Sequence, residues 1–314
     1  MNTSMERLKN NVRKVLAGKD EIVELIFIAM ICEGHLLMED VPGTGKTMMA
    51  KIVAKSIKGT FRRIQFTPDL LPSDVTGIRF FNPKTQTFEL KMGPVMTNIL
   101  LADEINRATP RAQSSLLEVM EERQVTIEGE TFAIEPPFLV IATQNPIESQ
   151  GTFSLPEAQM DRFFMQISSG YPSFDEEKEM LHLHRLGNPL EQIESVIEKE
   201  SIANLQEQVR QVKIDESVEN YLLNIVRATR EHDWVANGVS PRGTLAFMRG
   251  VQAKALISGR DYAVPDDVKV MAPFILSHRL VLSMEGELHA TKHQVINDVL
   301  EHTEVPVETG AQSK

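Results

Sequence analysis

The sequence predicts an α/β fold: a parallel-sheet domain with β-hairpin insertions, followed by a smaller all-helical domain. Three observations carry this. Short apolar runs alternate with helical patterns over the first half of the chain, as in a parallel sheet covered on both faces. Two segments with strand-like runs around turn residues interrupt the alternation. From Asp175 onward only helical periodicity remains. The chain has 314 residues, and at about 150 residues per domain two domains are expected. With 42% apolar and 25% charged residues, disordered, collagen-like and disulfide-scaffold classes are excluded.

In chain order, Ile22, Val23, Ile26, Phe27, Met30 and Ile31 recur at helical spacing, with Asp20 as the expected N-cap. HLLMED then reads as a strand, PGTGKT as a glycine-rich turn, and the stretch up to Gly59 as a helix. FRRIQF, ILLADE and FLVIATQN supply further strands, with RAQSSLLEVMEER as a helix between the last two, and FFMQI a fifth strand. The insertions are IRFFNPKTQTFEL, turning at Asn82-Pro83, and VTIEGETFAI, turning at Gly129. Both read as hairpins, either functional or simply closing the sheet edge. Phe80 and Phe81 are adjacent in the first, so one of them is expected to be exposed as a contact for another protein. The helical segments MLHLHRL, NYLLNIVRATRE, TLAFMRGVQAKAL and DDVKVMAPFILSHRL follow, with starts expected at Asp175, Asp215 and Ser240-Pro241. The expected domains are 1–170 for the α/β core and 171–305 for the helical part, with 306–314 a frayed tail.

Thirty-three basic against 44 acidic residues give a net charge of −11, which opposes non-specific attraction to nucleic-acid phosphates. Cys32 is single, so no intrachain disulfide forms and a reducing compartment fits. The polar amino terminus lacks a secretory signal, and LIFIAMIC falls far short of the roughly 20 apolar residues that span a bilayer. A cytoplasmic protein without a membrane span is expected.

The strongest chemical signal is PGTGKT, residues Pro42, Gly43, Thr44, Gly45, Lys46 and Thr47, set between a strand and a helix that continues through Met48. Successive backbone N–H groups of such a loop cradle phosphates beside a helix N-terminus. Lys46 would meet the β- and γ-phosphates and Thr47 would hold Mg²⁺. The strict pattern asks for glycine where this chain has Asp40. NILLADE ends an apolar strand in two carboxylates. Alone it would read equally as a solvated strand end. Paired with the glycine loop, Asp103 would join the Mg²⁺ shell and Glu104 would polarise the attacking water. IATQN brings Asn145 to another strand end, where ligands of open α/β sheets sit.

These residues together resemble the AAA+ ATPases. The likeness tightens to the MoxR family through QFTPDLLPSDVTG, LLADEINRATPRAQSSLLEVMEERQVTIEGE, IATQNPIESQGTFSLPEAQMDRF and SPRG, and it covers nearly the whole chain. The resemblance implies an AAA+ P-loop core with a helical lid. In it PGTGKT is the Walker A loop, Asp103 and Glu104 the Walker B pair, and Asn145 sensor 1. It further implies Arg162 as an arginine finger, Arg242 as sensor 2, and Gly18 in VLAGKDEI within the segment bordering the adenine. The two hairpins match the helix-2 and pre-sensor-1 insertions. The chain departs from the commonest family wording at Pro110-Arg111, Phe153-Ser154 and Gly243, none of them a nucleotide-contacting position. From the residues themselves, Arg162 fits an ion pair with Asp161 or Glu157 as well as a phosphate contact. Arg242, a cation in a first helical turn, is unfavourable unless an anion faces it.

By this resemblance the protein is an ATP- and Mg²⁺-dependent chaperone that assembles as a ring, hexameric in the family. It would mature client proteins, for example by cofactor or metal insertion, with a von Willebrand factor A domain partner. Rival readings are a magnesium-chelatase-like motor subunit, a DNA-acting AAA+ motor or regulator, and a nucleotide switch that scarcely turns over. The DNA reading has little basic charge to draw on, namely Arg79, Lys84 and Lys91 on the first hairpin. His182, His184, His289 and His293 lack the partners that would complete a metal set. The 15 methionines read as core filler and EQIESVIEKE as a solvated helix face.

Overall fold

The computed structural model describes residues 2–39, 43–144, 151–185 and 189–306. The chain forms two compact units, one ending at Gln206 and the other beginning at Glu207.

The first unit opens with helices α1 (Asn2–Arg13) and α2 (Asp20–Ile31). Asp20, expected as an N-cap, is instead the first residue of α2, with Lys19 in the cap position. The reason is Arg13 at the end of α1, whose Nε reaches both Asp20 carboxylate oxygens at 3.0 and 2.9 Å. There follow β1 (Leu36–Glu39), α3 (Lys46–Ser56), β2 (Phe61–Gln65), α4 (Pro72–Thr76), β3 (Gly77–Asn82), β4 (Thr87–Met92) and β5 (Ile99–Asp103). Then come α5 (Pro110–Glu122), β6 (Gln124–Ile127), β7 (Glu130–Ala133), β8 (Leu139–Gln144), α6 (Glu157–Met160), β9 (Met165–Ile167) and α7 (Phe174–His184).

Five strands make the expected parallel sheet, in the order β2-β5-β8-β1-β9. The central strands are buried on both faces: Leu36, Leu37, Ile99, Leu100, Leu101, Leu139, Val140 and Ile141 are all inaccessible or nearly so. This explains why they read as unbroken apolar runs rather than as alternating ones. Leu100, Ala102, Val140 and Phe163 join Leu116, Leu117 and Met120 of α5 in one core cluster.

The two hairpins form as predicted, but each is a two-stranded sheet of its own, β3-β4 and β6-β7. Neither closes the edge of the central sheet. In the first hairpin Phe80 and Phe81 are both exposed, by 41% and 52%, together with Phe88 at 70%. The expectation that only one would be exposed assumed a covered face. Phe81 instead finds its partner across the strands, edge-on to Phe88 at 5.5 Å.

The boundary between units also differs from the change of sequence pattern at residue 170. Helix α7 and the described residues 189–206 belong to the α/β unit, and residues 194–206 are tied there by hydrogen bonds. The N–H groups of Val196 and Ile197 donate to Ser56 O at 2.8 and 3.0 Å. Asn11 Nδ2 donates to Glu194 O at 2.8 Å and Gln206 Nε2 to Met30 O at 3.1 Å. Periodicity names a helix but not the body it packs on.

Helix α8 (Lys199–Gln211) leads to the second unit, made of α9 (Glu216–Glu231), α10 (Pro241–Ile257), α11 (Pro265–Leu276), α12 (Met284–His289) and α13 (Lys292–His302). It is predominantly helical, with one addition, a short antiparallel pair of β10 (Val235–Asn237) and β11 (Val281–Leu282). Asp215 and Ser240 take the cap positions expected of them, and Ser240 Oγ accepts from Gly243 N–H at 3.0 Å. The remaining start lies slightly earlier than expected, since Ser173 caps α7 in a reciprocal box with Glu176. Cys32 is a buried cysteine outside any disulfide. Among the described residues no helix is long and apolar enough to cross a membrane, and no group of three or more His, Cys, Asp and Glu residues could hold a metal ion.

One buried group links this core to pH. His35 Nδ1 accepts from Val140 N–H at 3.0 Å, so the ring proton sits on Nε2 and is donated to Met120 O, also at 3.0 Å. Burial, opposed by the Met120 hydrogen bond, pushes the imidazole pKa down to about 3. The folded state thus holds His35 neutral where the unfolded chain would protonate it. Its contribution to stability is complete above about pH 6.5 and is lost as pH falls toward 3, by up to about 1.4 kcal/mol per pH unit. We predict that urea midpoints followed from pH 7 to pH 4 fall more steeply for wild type than for His35→Gln. Parallel curves would contradict the assignment.

Candidate active site

The site lies at the carboxyl ends of the parallel strands, where α3 begins. Gly43 and Gly45 adopt left-handed backbone conformations, with φ of 88° and 85°. Such φ values are reached without strain only by glycine. At Gly45 there is a second restriction, since an added Cβ would stand 3.3 Å from Leu16 Cδ2. Helix α3 starts directly afterwards at Lys46, and no side chain caps it. Its first N–H groups and the positive end of its dipole therefore face the loop, the arrangement that binds anions.

A cavity of about 440 Å³ opens here. One wall is Gly43, Thr44, Gly45, Lys46, Thr47 and Met48, with Lys51 one helical turn beyond Thr47; the other is Arg63, Asp103, Glu104, Thr143 and Gln144.

The acidic wall is built by strand register. Parallel pairing sets Gln65 of β2 opposite Asp103 of β5, and Ala102 of β5 opposite Ala142 of β8. Thr143 therefore comes beside Asp103. Its hydroxyl donates to Asp103 Oδ1 at 2.6 Å and accepts from Glu104 N–H at 2.9 Å. Asp103 Oδ2 accepts from Arg63 Nε at 3.1 Å and Nη2 at 2.6 Å. Glu104 Oε2 accepts from Gln65 Nε2 at 2.7 Å and faces Arg107 Nε at 3.1 Å. Glu104 is itself left-handed, with φ 57° and ψ 49°. For a residue with a Cβ this costs on the order of 1–3 kcal/mol. The Thr143 bond to its N–H helps hold that turn, which ends β5 and aims two consecutive carboxylates at one cavity.

The donors suit a nucleoside triphosphate with a hard divalent cation. Lys46, Lys51 and Arg63 supply positive charge, the uncapped helix supplies N–H groups, and Thr47 and Asp103 supply oxygen ligands of the kind Mg²⁺ prefers. Mg²⁺ is commonly held by one or two protein oxygens plus phosphates rather than by an all-protein cage, so the small donor set fits.

The residues expected from sequence are distributed as follows. Gly43 to Met48, Asp103 and Glu104 line one cavity. Pro42 and Asn145 lie outside the described residues. Gly18 does not line the cavity. It has φ 68°, a conformation that favours glycine, and lies beside the Glu176 side chain, and it is Leu16 of the same segment that reaches the glycine loop. Arg162 follows α6 and is half-buried. It lies apart from the cavity lining. Arg242 belongs to the second unit, in the exposed first turn of α10. Sequence reasoning missed Lys51, Arg63, Gln65 and Thr143. Lys51 was detectable, being four residues after Thr47 on one helix. The others depend on which strands are neighbours.

The comparisons agree with this geometry. Residues 35–165 match the family described as ATPase family associated with various cellular activities (AAA), and residues 227–299 match the AAA lid domain. The fold and site therefore define an ATPase of the AAA class. The chain is 49% identical over 302 residues to the uncharacterized protein YeaC of Bacillus subtilis, covering 96% of this chain and 94% of that protein. It is 41% identical over 313 residues to chaperone MoxR1 of Mycobacterium tuberculosis, covering 96% of this chain and 82% of that one. A solved structure of a protein assigned as an ATPase, from Cytophaga hutchinsonii, superposes with a TM-score of 0.91 at 37% identity, over 98% of this chain and 96% of that one. The chain belongs to the MoxR family of AAA ATPases.

Thr143 generates a prediction. Thr143→Val keeps the shape but leaves Glu104 N–H and Asp103 without the shared hydroxyl, a loss of about 1–3 kcal/mol in urea unfolding. ATP turnover should drop at least about tenfold, as expected when preorganised groups lose their support. Thr143→Ser, which restores the hydroxyl, should recover most of both. Equal turnover in the valine and serine variants would contradict this positioning role.

Proposed function

We propose that the cavity binds ATP with Mg²⁺ and that hydrolysis drives a ring-assembled chaperone that remodels client proteins. The observation that carries the reading is the meeting, in one cavity, of an uncapped helix start with its glycine loop and of the Asp103–Glu104 pair. Backbone N–H groups from Gly43 to Thr47 and the Lys46 ammonium bind the phosphates. Thr47 and Asp103 hold Mg²⁺, which when bound neutralises charge developing on the phosphate oxygens. Glu104, aimed into the cavity by its left-handed turn, orients the attacking water and accepts its proton. Asn145, in the sequence IATQN, assists at the water or the γ-phosphate.

Arg162 acts in trans as an arginine finger. Support comes from its position outside its own cavity lining. Arg242 serves as sensor 2. Gly18 keeps the adenine-bordering segment close to the loop, with Leu16 making the contact. A ring, hexameric by family likeness, is the assembly in which one subunit's finger completes the next subunit's site. The hairpin β3-β4, with Phe80, Phe81 and Phe88 exposed, is the client-facing element. A von Willebrand factor A domain protein is the expected partner and the cytoplasm the expected compartment. The DNA-acting alternative loses support on this hairpin, because the Arg79 guanidinium is taken up by Glu130 of the other hairpin at 2.5 Å.

Two measurements test the reading. Steady-state ATP hydrolysis with Mg²⁺ should rise in specific activity with protein concentration, and Glu104→Gln should abolish turnover while nucleotide still binds. Arg162→Ala should lose about 10³-fold or more in turnover and lose the concentration dependence, with nucleotide affinity nearly unchanged. Flat activity in wild type, or a large loss of affinity in Arg162→Ala, would refute the assembled-motor reading.

A further inference from the structure

We propose that Arg63 is a placeholder cation: its guanidinium occupies an Asp103 oxygen that a divalent cation would take, so that metal loading proceeds by exchange with Arg63. This rests on the reading of Asp103 as a metal-holding residue.

The two oxygens of Asp103 are not equivalent. Oδ1 is held by the hydroxyl of Thr143, a residue buried between strands. Oδ2 receives both Nε and Nη2 of Arg63, at 3.1 and 2.6 Å, and both residues line the cavity. Nη2 also donates to Gln65 Oε1 at 2.7 Å, which orients the guanidinium from the same strand. Arg63 and Gln65 are two residues apart on β2 and so share a face.

Elementary electrostatics gives this arrangement a purpose. Asp103 and Glu104 are adjacent carboxylates aimed at one space, and unpaired they would repel each other and attract any divalent cation. Arg63 covers the first, while Gln65 and Arg107 engage the second. The Arg63 contact is also exchangeable. The Asp103 side chain is 16% exposed, but that of Arg63 is 47% exposed, so the guanidinium can leave into water without desolvation cost. Phosphates arriving at the glycine loop change the balance. They bring their own negative charge beside Oδ2, which favours a divalent cation there, and they offer Arg63 an anionic partner within the same cavity, alongside Lys46 and Lys51. Bare metal meets a monovalent competitor already in place, whereas nucleotide-bound metal arrives with the group that releases it.

The test uses the full chain and Mn²⁺ as the probe, with free Mn²⁺ read by electron paramagnetic resonance. Without nucleotide, Arg63→Gln should bind Mn²⁺ about fivefold more tightly than wild type, the upper range for an exposed ion pair. Arg63→Met should do the same, and Arg63→Lys, which keeps the charge, should change affinity little. The gain should vanish in the Arg63→Gln, Asp103→Asn double variant. With ADP present, Asp103→Asn alone should weaken Mn²⁺ binding. Unchanged or weaker Mn²⁺ binding in both Arg63→Gln and Arg63→Met, with Asp103→Asn still weakened, would overturn the placeholder role and leave the metal reading standing. Mn²⁺ affinity in ADP indifferent to Asp103→Asn would overturn the metal reading itself.

Discussion

In-register parallel pairing of β2, β5 and β8 is the constraint on which the site depends. It brings Gln65, Asp103 and Thr143 side by side at the carboxyl ends of three strands that are far apart in sequence. Backbone ladders, buried on both faces by apolar side chains, set that register. A one-residue slip would turn Asp103 away and put an apolar neighbour in its place. The left-handed turn at Glu104 is supported by the Thr143 hydroxyl, which this register brings to its N–H. Local strain at the chemistry is thus offset by regular structure behind it.

The cavity divides into a wall that offers positive charge and N–H groups and a wall that offers carboxylates. Neither wall is left bare. Arg63, Gln65 and Arg107 engage the acids, at the edge of water where such contacts are weak enough to be exchanged. The site is therefore preorganised in backbone and labile in side-chain pairing. A phosphate-bearing ligand must fit the first and can rearrange the second.

Away from the site, the hairpin β6-β7 buries Val125 and Ile127 in the core cluster, whereas the hairpin β3-β4 leaves Phe80, Phe81 and Phe88 in water. The Arg79–Glu130 ion pair joins one hairpin to the other, so a basic residue that might have faced a polyanion is spent within the protein. The helical unit, by contrast, is held by caps and by buried ion pairing, as where the Arg260 guanidinium grips both oxygens of the buried Asp267 at 2.7 Å.

By itself the sequence determined the elements and the loop chemistry, because both are local. Strands buried on both faces must be apolar throughout, helices must repeat at their own period, and a left-handed phosphate loop must carry glycine at Gly43 and Gly45. The hairpins were legible for the same reason, as were Lys46, Thr47, Asp103 and Glu104 as residues that line one cavity. Tertiary structure alone decided what depends on neighbours. Strand order made Thr143 the partner of both acids and Arg63 the cation on Asp103. Packing assigned residues 194–206 to the α/β unit through hydrogen bonds to Ser56 and Met30. The lack of a covering layer exposed Phe80 and Phe81 together. Each of these is a contact between segments distant in sequence, and no local pattern of residue types encodes which distant segment will be adjacent.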